Sequence, residues 1–359
     1  MRESGADRRQ RILAMVEARG EVRVTELATE LDVSVITARR DVEDLASIGR
    51  LRRGHGVARS LVPVRQAPVE PSRGVVALIV PERHAYLNEV VHGARVALEA
   101  ASVRVVLHPA PQVAGAERPI VQRVLSGEDV SGLLIAPRWR TAADEEADDH
   151  WLAETNGPLV LLEREPQTGS ALRSRDSVYT DHWYGADLAV EHLASLGHQR
   201  LVLAARDDSP TARALRAAFA KACQARPQIQ DWAVVLSAPD AAADPANTPH
   251  EPPLAHTMRD RGATGVIMHG DIDALILVQQ LAEAGLAAPR DYSVVAYDDV
   301  VSSLGSPPLT AVAPAKAEVG RLAADLLLER LGRGPAAGPA RRVAVLPELK
   351  VRASADMNV

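Results

Sequence analysis

The sequence predicts an α/β protein in two parts, a small helical head and a body of two lobes built on parallel sheets. Three observations carry that reading. Charge is split along the chain: residues 1–65 hold 13 arginines against 10 acids, a net of +3, while the remainder is −9. Residues 62–73, with three prolines and neither a helical nor a strand period, read as a semi-rigid extended linker between the parts. Beyond it, apolar strands and amphipathic helices alternate, the pattern of parallel sheets flanked by helices. The alternation runs for too many residues to fit one sheet comfortably, so two lobes with a cleft between them are expected.

Composition narrows the classes. Of 359 residues, 47% are apolar and 25% charged, which allows a sizeable core and argues against wholesale disorder. The overall charge of −6 taken alone disfavours a polyanion, but the basic head on an acidic body reverses that inference. A single cysteine, Cys223, excludes an internal disulfide framework and any two-cysteine metal site, and suits a reducing compartment. The longest apolar runs, such as Val75–Val80, fall far short of the roughly 20 residues that span a bilayer. Met1–Arg11 lacks the apolar stretch of a signal peptide, so a cytoplasmic protein with no membrane partner is expected.

In the head, three helices can be drawn, near Arg8–Arg19, Thr25–Leu31 and Ser34–Ile48. Ser34 is a good N-cap for the third, on which Ala38, Val42 and Leu45 form a buried stripe. Steps of about 100° per residue put Ile36 and Arg40 opposite that stripe, with Thr37 and Arg39 on its flanks. Arginines can bond guanine edges or phosphate, and an aliphatic group can meet a thymine methyl, so this face suits a major groove. Arg50–Val57 then reads as a hairpin with a Gly-His-Gly tip, its arginines placed to flank a duplex. The plainer reading is a small helical dimerisation module whose arginines are merely solvated.

The run Glu21–Ala28, then Val33-Ser34, Thr37-Ala38-Arg39-Arg40-Asp41-Val42, Leu45, Gly49, Leu51 and His55-Gly56 resembles the DeoR-type winged helix–turn–helix, over about residues 7–58. The resemblance implies that the third helix reads the major groove through Ser34, Thr37, Arg39 and Arg40, that Arg52, Arg53 and His55 of the wing contact DNA, and that Asp41 orients neighbouring arginines.

In the body, strands are read at Val75–Val80, Val103–Leu107, Gly132–Ala136, Leu159–Leu162, Arg200–Ala204, Trp232–Leu236, Thr264–Met268 and Ser293–Tyr297. Helices are read at Asn88–Ala100, Ala186–Leu196, Thr211–Ala225 and Ile272–Ala284. The proline-rich Ala238–Pro253 reads as an inserted loop, and the acidic run Asp144–Asp149 as a solvated helix face rather than a metal site. No strand–GxGxxG–helix, GxxxxGK[ST], GxSxG or paired-histidine spacing occurs, so no enzyme, cofactor or metal is expected.

Polar groups gather where strands end, which is where ligands bind in such sheets. Tyr86 follows the first strand; Arg138-Trp139, Glu163-Arg164, Asp181, Asp271 and Tyr297-Asp298 follow others. Five of the ten aromatics, Tyr86, Trp139, Trp183, Tyr184 and Tyr297, fall at or near these ends. Carboxylates accept paired hydroxyls and aromatic faces cover a sugar ring, so the set suits a polyol. Asp181 and Asp271 serve equally well as helix caps. Arg83, Arg138, Arg164 and Arg206 leave an acidic or phosphorylated ligand open.

Ala77–Pro81, Leu159–Arg164, Asp181 with Gly185, His192-Leu193 with Gly197-His198, Gly270–Ala274, Ser293–Asp299, Pro307–Thr310 and Leu346–Ser354 are similar, in order and separation, to the effector domain of LacI/GalR regulators, over about 74–354. The resemblance implies that the winged head is followed by a two-lobed periplasmic-binding-protein-like domain with two parallel sheets, three chain crossings and a dimer formed by that domain, although LacI/GalR regulators usually carry a head of their own type. It gives domains of 1–60, 61–73 (the linker) and 74–354. It carries effector contacts to Asp298, Asp271 and Glu163, and, because the family's arginine is displaced, to Arg213 in preference to Arg216. Val57–Leu61 looks like that family's minor-groove hinge helix, but Pro63 leaves it barely a turn.

The expectation is a transcriptional regulator, a repressor by preference although activation fits the sequence equally well, that binds double-stranded operator DNA as a homodimer, or as a tetramer. A small sugar or sugar derivative would control it. The rivals are a sugar-processing enzyme with a DNA-binding head and a ligand-independent DNA-binding protein.

Overall fold

The computed structural model describes residues 8–9, 11–13, 15–16, 21–31, 33–47, 50–54, 56–60, 74–82, 85–127, 130–237, 253–333 and 338–355. The chain divides into two compact units, Met1–Pro71 and Ser72–Val359. The linker 61–73 and most of the inserted loop, 238–252, lie outside the described residues.

The smaller unit is a winged helix–turn–helix. The described residues of 8–16 are helical, followed by β1 (Glu21–Arg23), α1 (Val24–Glu30), α2 (Val35–Ser47), β2 (Leu51–Arg53) and β3 (Val57–Ser60). The three strands pair in the order β1-β3-β2, both ladders antiparallel. Ile12, Val16, Leu27, Ala38, Val42, Leu45 and Leu51 form its core. The stripe read on the third helix is therefore the buried one. Val57–Ser60, which looks like a hinge helix in sequence, pairs along its length with β1 and β2, and β1 itself was not read. Three β-branched or small residues in a run of four cannot by themselves separate strand from helix.

The larger unit holds two six-stranded sheets. One lobe carries β4 (Val75–Pro81), α3 (Ala85–Ala100), β5 (Arg104–Ala110), α4 (Glu117–Gly127), β6 (Val130–Ile135), α5 (Ala142–Ala153), β7 (Leu159–Leu162) and β8 (Asp176–Thr180). The other carries α6 (His182–Ser195), β9 (Arg200–Ala205), α7 (Pro210–Gln224), β10 (Asp231–Leu236), α8 (Pro253–Arg261), β11 (Gly265–Met268), α9 (Asp271–Glu283), β12 (Ser293–Tyr297) and β13 (Thr310–Ala313). The chain then returns to the first lobe for α10 (Lys316–Arg333) and β14 (Arg342–Val345), and ends in the second with β15 (Glu348–Lys350). Three crossings thus join the lobes.

Strand order is β14-β8-β7-β6-β4-β5 in the first lobe, all parallel, and β10-β9-β11-β12-β13-β15 in the second, parallel except for β15. Central strands such as β4 are buried along their whole length, as helices on both faces require. α3 and α10 cover one face of the first sheet and α4 with α5 the other; α6 and α7, then α8 and α9, do the same for the second. α3 and α10 touch at their main chains. A Cβ at Gly93 would lie 2.0 Å from the Ala317 carbonyl oxygen, and one at Gly320 1.9 Å from that of Val90. Among the described residues no helix is long and apolar enough to cross a membrane.

Candidate functional site

Two surfaces gather the expected functional residues, one in each unit. In the smaller unit α2 begins with a bonded pair of hydroxyls. Ser34 Oγ accepts from the Thr37 backbone N–H at 3.1 Å and lies 2.8 Å from Thr37 Oγ1. Both residues therefore serve the helix start as a cap. Arg39 and Arg40 are exposed, as are Val35 and Ile36. Asp41 is buried and accepts from Arg8 Nε at 2.6 Å, with Arg9 Nη1 at 3.6 Å. It orients arginines, as expected, but those of the first helix, two helices earlier; in doing so it pins that helix to α2. Arg52 and Arg53 fall on β2, and His55 lies outside the described residues.

In the larger unit a cleft of about 320 Å³ opens between the lobes at the carboxyl ends of the strands. Tyr86, Arg138, Glu163, Asp271 and Asp298 line it together, with Trp139, Arg164, Arg206, Asp208, His269 and Asp273. Arg83 lies outside the described residues.

The first lobe contributes a bonded cluster. Tyr86 Oη donates to Glu163 Oε1 at 2.6 Å and sits 2.9 Å from Thr180 Oγ1. Glu163 also accepts from the Thr180 N–H and hydroxyl, each at 3.0 Å. Burial pushes the Glu163 carboxyl up and the Tyr86 phenol well up, more than these bonds and Arg164 pull the acid down. Arg164 is buried beside them, donating from Nε to the Pro137 carbonyl at 2.6 Å and from Nη1 to the Glu163 carbonyl at 2.7 Å. Burial lowers its guanidinium to about 10, so it remains charged.

The second lobe contributes carboxylates. Asp271, 1% exposed at the first residue of α9, accepts from Ser302 N–H at 2.9 Å, from Ser302 Oγ at 3.1 Å, and from Val301 N–H. It thereby holds the turn that follows Asp298. Asp298 is part-buried with φ +98°, a conformation an L-residue adopts only under constraint. Its neighbour Asp299, at φ +51°, is anchored by Arg352 at 2.8 Å and Lys350 at 3.1 Å. Burial, then the charge of Asp271, raises the Asp298 carboxyl to about 7. A carboxyl so raised is disfavoured in its charged form and can donate as well as accept a hydrogen bond near neutral pH. Arg206 is held by Asp273 through two bonds of 2.6 and 3.0 Å. His182 and His269 are pushed down to about 4 by burial and are neutral at neutral pH.

Two expected contacts fall elsewhere. Asp181 is the N-cap of α6, accepting from Tyr184 N–H at 2.9 Å, and does not line the cleft. Its carboxylate is committed to an otherwise unpaired helix donor, the capping role its position also allows. Arg213 does not line the cleft either. It reaches from α7 across to the first lobe, donating to the Trp139 carbonyl at 3.1 Å, the Arg140 carbonyl at 2.9 Å and Glu145 Oε2 at 3.0 Å. Arg216 is spent on the carbonyls of Ala205 and Arg206. Of the five aromatics, Tyr86 and Trp139 reach the cleft, Trp183 and Tyr184 are exposed, and Tyr297 is buried 3.0 Å from His182 Nδ1. Gly185 makes room for that phenol: a Cβ there would fall 2.3 Å from Tyr297 Oη.

The acidic run is not a solvated face. Asp148 is buried and accepts from the indole N–H of Trp139 at 3.0 Å and of Trp151 at 2.7 Å. Asp149 accepts from Ala171 N–H at 2.7 Å, and Glu145 meets Arg213. Among the described residues no group of histidine, cysteine or carboxylate side chains could hold a metal ion.

Comparison with known proteins agrees with this geometry. Residues 8–63 match the DeoR-like helix-turn-helix domain and residues 190–355 the periplasmic binding protein-like domain. The HTH-type transcriptional repressor PurR of Haemophilus influenzae is 28% identical over 235 residues, 64% of this chain and 66% of that protein. PurR of Glaesserella parasuis is 30% identical over 182 residues, 49% of this chain and 50% of that protein. The match thus spans at most about two thirds of the first of these relatives. Among solved structures, the lac repressor dimer bound to operator and the anti-inducer ONPF superposes with a TM-score of 0.65 at 25% identity, over 80% of this chain and 95% of that one. A LacI family regulator of Enterococcus faecium with bound ribose gives 0.61 at 22%, over 79% and 100%. The chain joins a DeoR-like helix–turn–helix domain to a periplasmic binding protein-like domain with the two-lobed fold of the LacI-family repressors.

Proposed function

We propose that the protein is a transcriptional repressor whose affinity for operator DNA is set by a small sugar-like effector in the interlobe cleft. One observation carries the reading: a single chain holds both a helix whose outward groups suit a major groove and a two-lobed unit whose cleft is lined by hydroxyl-binding carboxylates and Tyr86. The effector contacts are Tyr86, Arg138, Glu163, Asp271 and Asp298; the DNA contacts are Arg39 and Arg40, with Ser34 and Thr37 positioning the helix start. Relatives named as repressors support a binding protein in place of a catalyst. The protein acts in the cytoplasm as a homodimer, for which the exposed Ile276 and Leu304 offer apolar surface on the second lobe. A coupling of about 1–3 kcal/mol between sites suffices for control.

Calorimetry against a panel of sugars and sugar acids, with Asp298→Ala as control, tests this. One ligand is expected to bind, and the variant to bind it about 10- to 100-fold less tightly, the worth of a charged hydrogen bond. Binding that ignores the substitution would sink the site assignment, and turnover of the ligand would favour an enzyme.

A further inference from the structure

On α2, Ile36 is 79% exposed, the most exposed large apolar side chain among the described residues. It stands in the first turn, next to Val35, 41% exposed, with Arg40 one turn further along the same face and Arg39 on its flank. The second half of the exposed face carries Glu43 and Asp44 instead. Asp44 is partly offset by Arg9 Nη1 at 3.4 Å, so a polyanion is better received at the start of the helix than toward its end. Base edges are read from the start of such a helix. There Ser34 Oγ accepts from the Thr37 N–H and pairs with the Thr37 hydroxyl, which commits part of both hydroxyls' bonding capacity to the helix start. Arg39 and Arg40 can serve phosphate or guanine. An isoleucine can do neither. Its hydration is relieved only by apolar surface, and the apolar group a major groove displays is the thymine C5-methyl.

We infer that Ile36 is a specificity-determining residue that packs on a thymine methyl of the operator. The inference rests on the DNA-binding reading above. It is tested with the full chain and a duplex selected by that chain from a random library. Each thymine of the selected duplex is replaced in turn by uracil, which removes only the methyl. Wild-type affinity should fall about fourfold at one thymine per half-site, the worth of one buried methyl group. Ile36→Ala should lose affinity for the selected duplex and become indifferent to that replacement, while Ile36→Val retains sensitivity. The side chain touches no core, so the variants fold. Uracil replacements without effect, or with equal effect on wild type and Ile36→Ala, overturn the role of Ile36 and leave DNA binding intact. A selection that enriches no duplex overturns both.

Discussion

On α2 the side chains proposed to meet DNA stand in solvent, while the polar side chains that line the cleft are largely withdrawn from it and held by hydrogen bonds. Arg39, Arg40 and Ile36 project from the outer face of a helix whose inner stripe, Ala38, Val42 and Leu45, is buried, and altering one leaves the others in place. In the cleft Glu163 is shared by Tyr86 and Thr180, Asp271 holds the turn after Asp298, and Arg206 is fixed by Asp273. Recognition by an exposed face is modular. Recognition by a buried network is preorganised, and its members stand or fall together.

The largest expected effect falls on the wall of the cleft. Asp148→Ala leaves the indole donors of Trp139 and Trp151 without an acceptor, at about 1–3 kcal/mol each. Urea unfolding should show a loss of about 3 kcal/mol. Arg39→Ala, on the modular face, should stay within about 0.5 kcal/mol. Equal losses would erase the contrast.

Next comes pH. The Asp298 carboxyl is raised to about 7 in the folded protein, so the folded state favours its protonated form. Its contribution to stability is fully present below the ordinary carboxylate pKa and is lost as pH rises through about 7. Asp298→Asn removes that dependence. The variant should gain about 2 kcal/mol over wild type at pH 8, less than full linkage because the group is part-exposed, and the gain should shrink toward pH 4. A gain independent of pH would show that the carboxyl is not strained by its charge.

A smaller effect is expected at Arg213, whose three bonds hold the lobes together. Arg213→Ala should populate open lobes, lower effector affinity about three- to tenfold, and enlarge the radius of gyration in X-ray scattering. Unchanged scattering would mean the crossings alone set the lobe angle. The smallest effect belongs to Arg40→Ala: DNA affinity falls several-fold and the salt dependence loses about one phosphate contact, with effector affinity intact.

What could be read in advance follows the same divide. The period of 3.6 exposes a helix stripe directly, so the face of α2 was legible from Ala38, Val42 and Leu45. Strand ends were legible too, and with them Tyr86, Glu163, Asp271 and Asp298. Pairing was not. Nothing in the local sequence tells that Asp148 will meet two indoles, one of them nine residues away, or that Arg213 will reach Glu145 across 68 residues. Asp181 was legible only as an ambiguity, since the same residue type caps helices and binds hydroxyls. α4 carries its buried face on only Ile120, Val121 and Val124, too short an apolar stripe to stand out in the sequence, although Pro119 suits a first turn.

The main-chain contact between α3 and α10 has a consequence for the cleft. Tyr86 lies in the first turn of α3, and Lys316, the first residue of α10, has its ammonium 5.7 Å from the centre of the Tyr86 ring. At Gly93 and Gly320 the two helices pack too closely to admit a side chain, so their first turns form one closely packed jaw. Such a jaw has little slack to mould itself to a guest. It admits those whose outline already fits, and the choice of ligand is inherited in part from two glycines that no ligand touches.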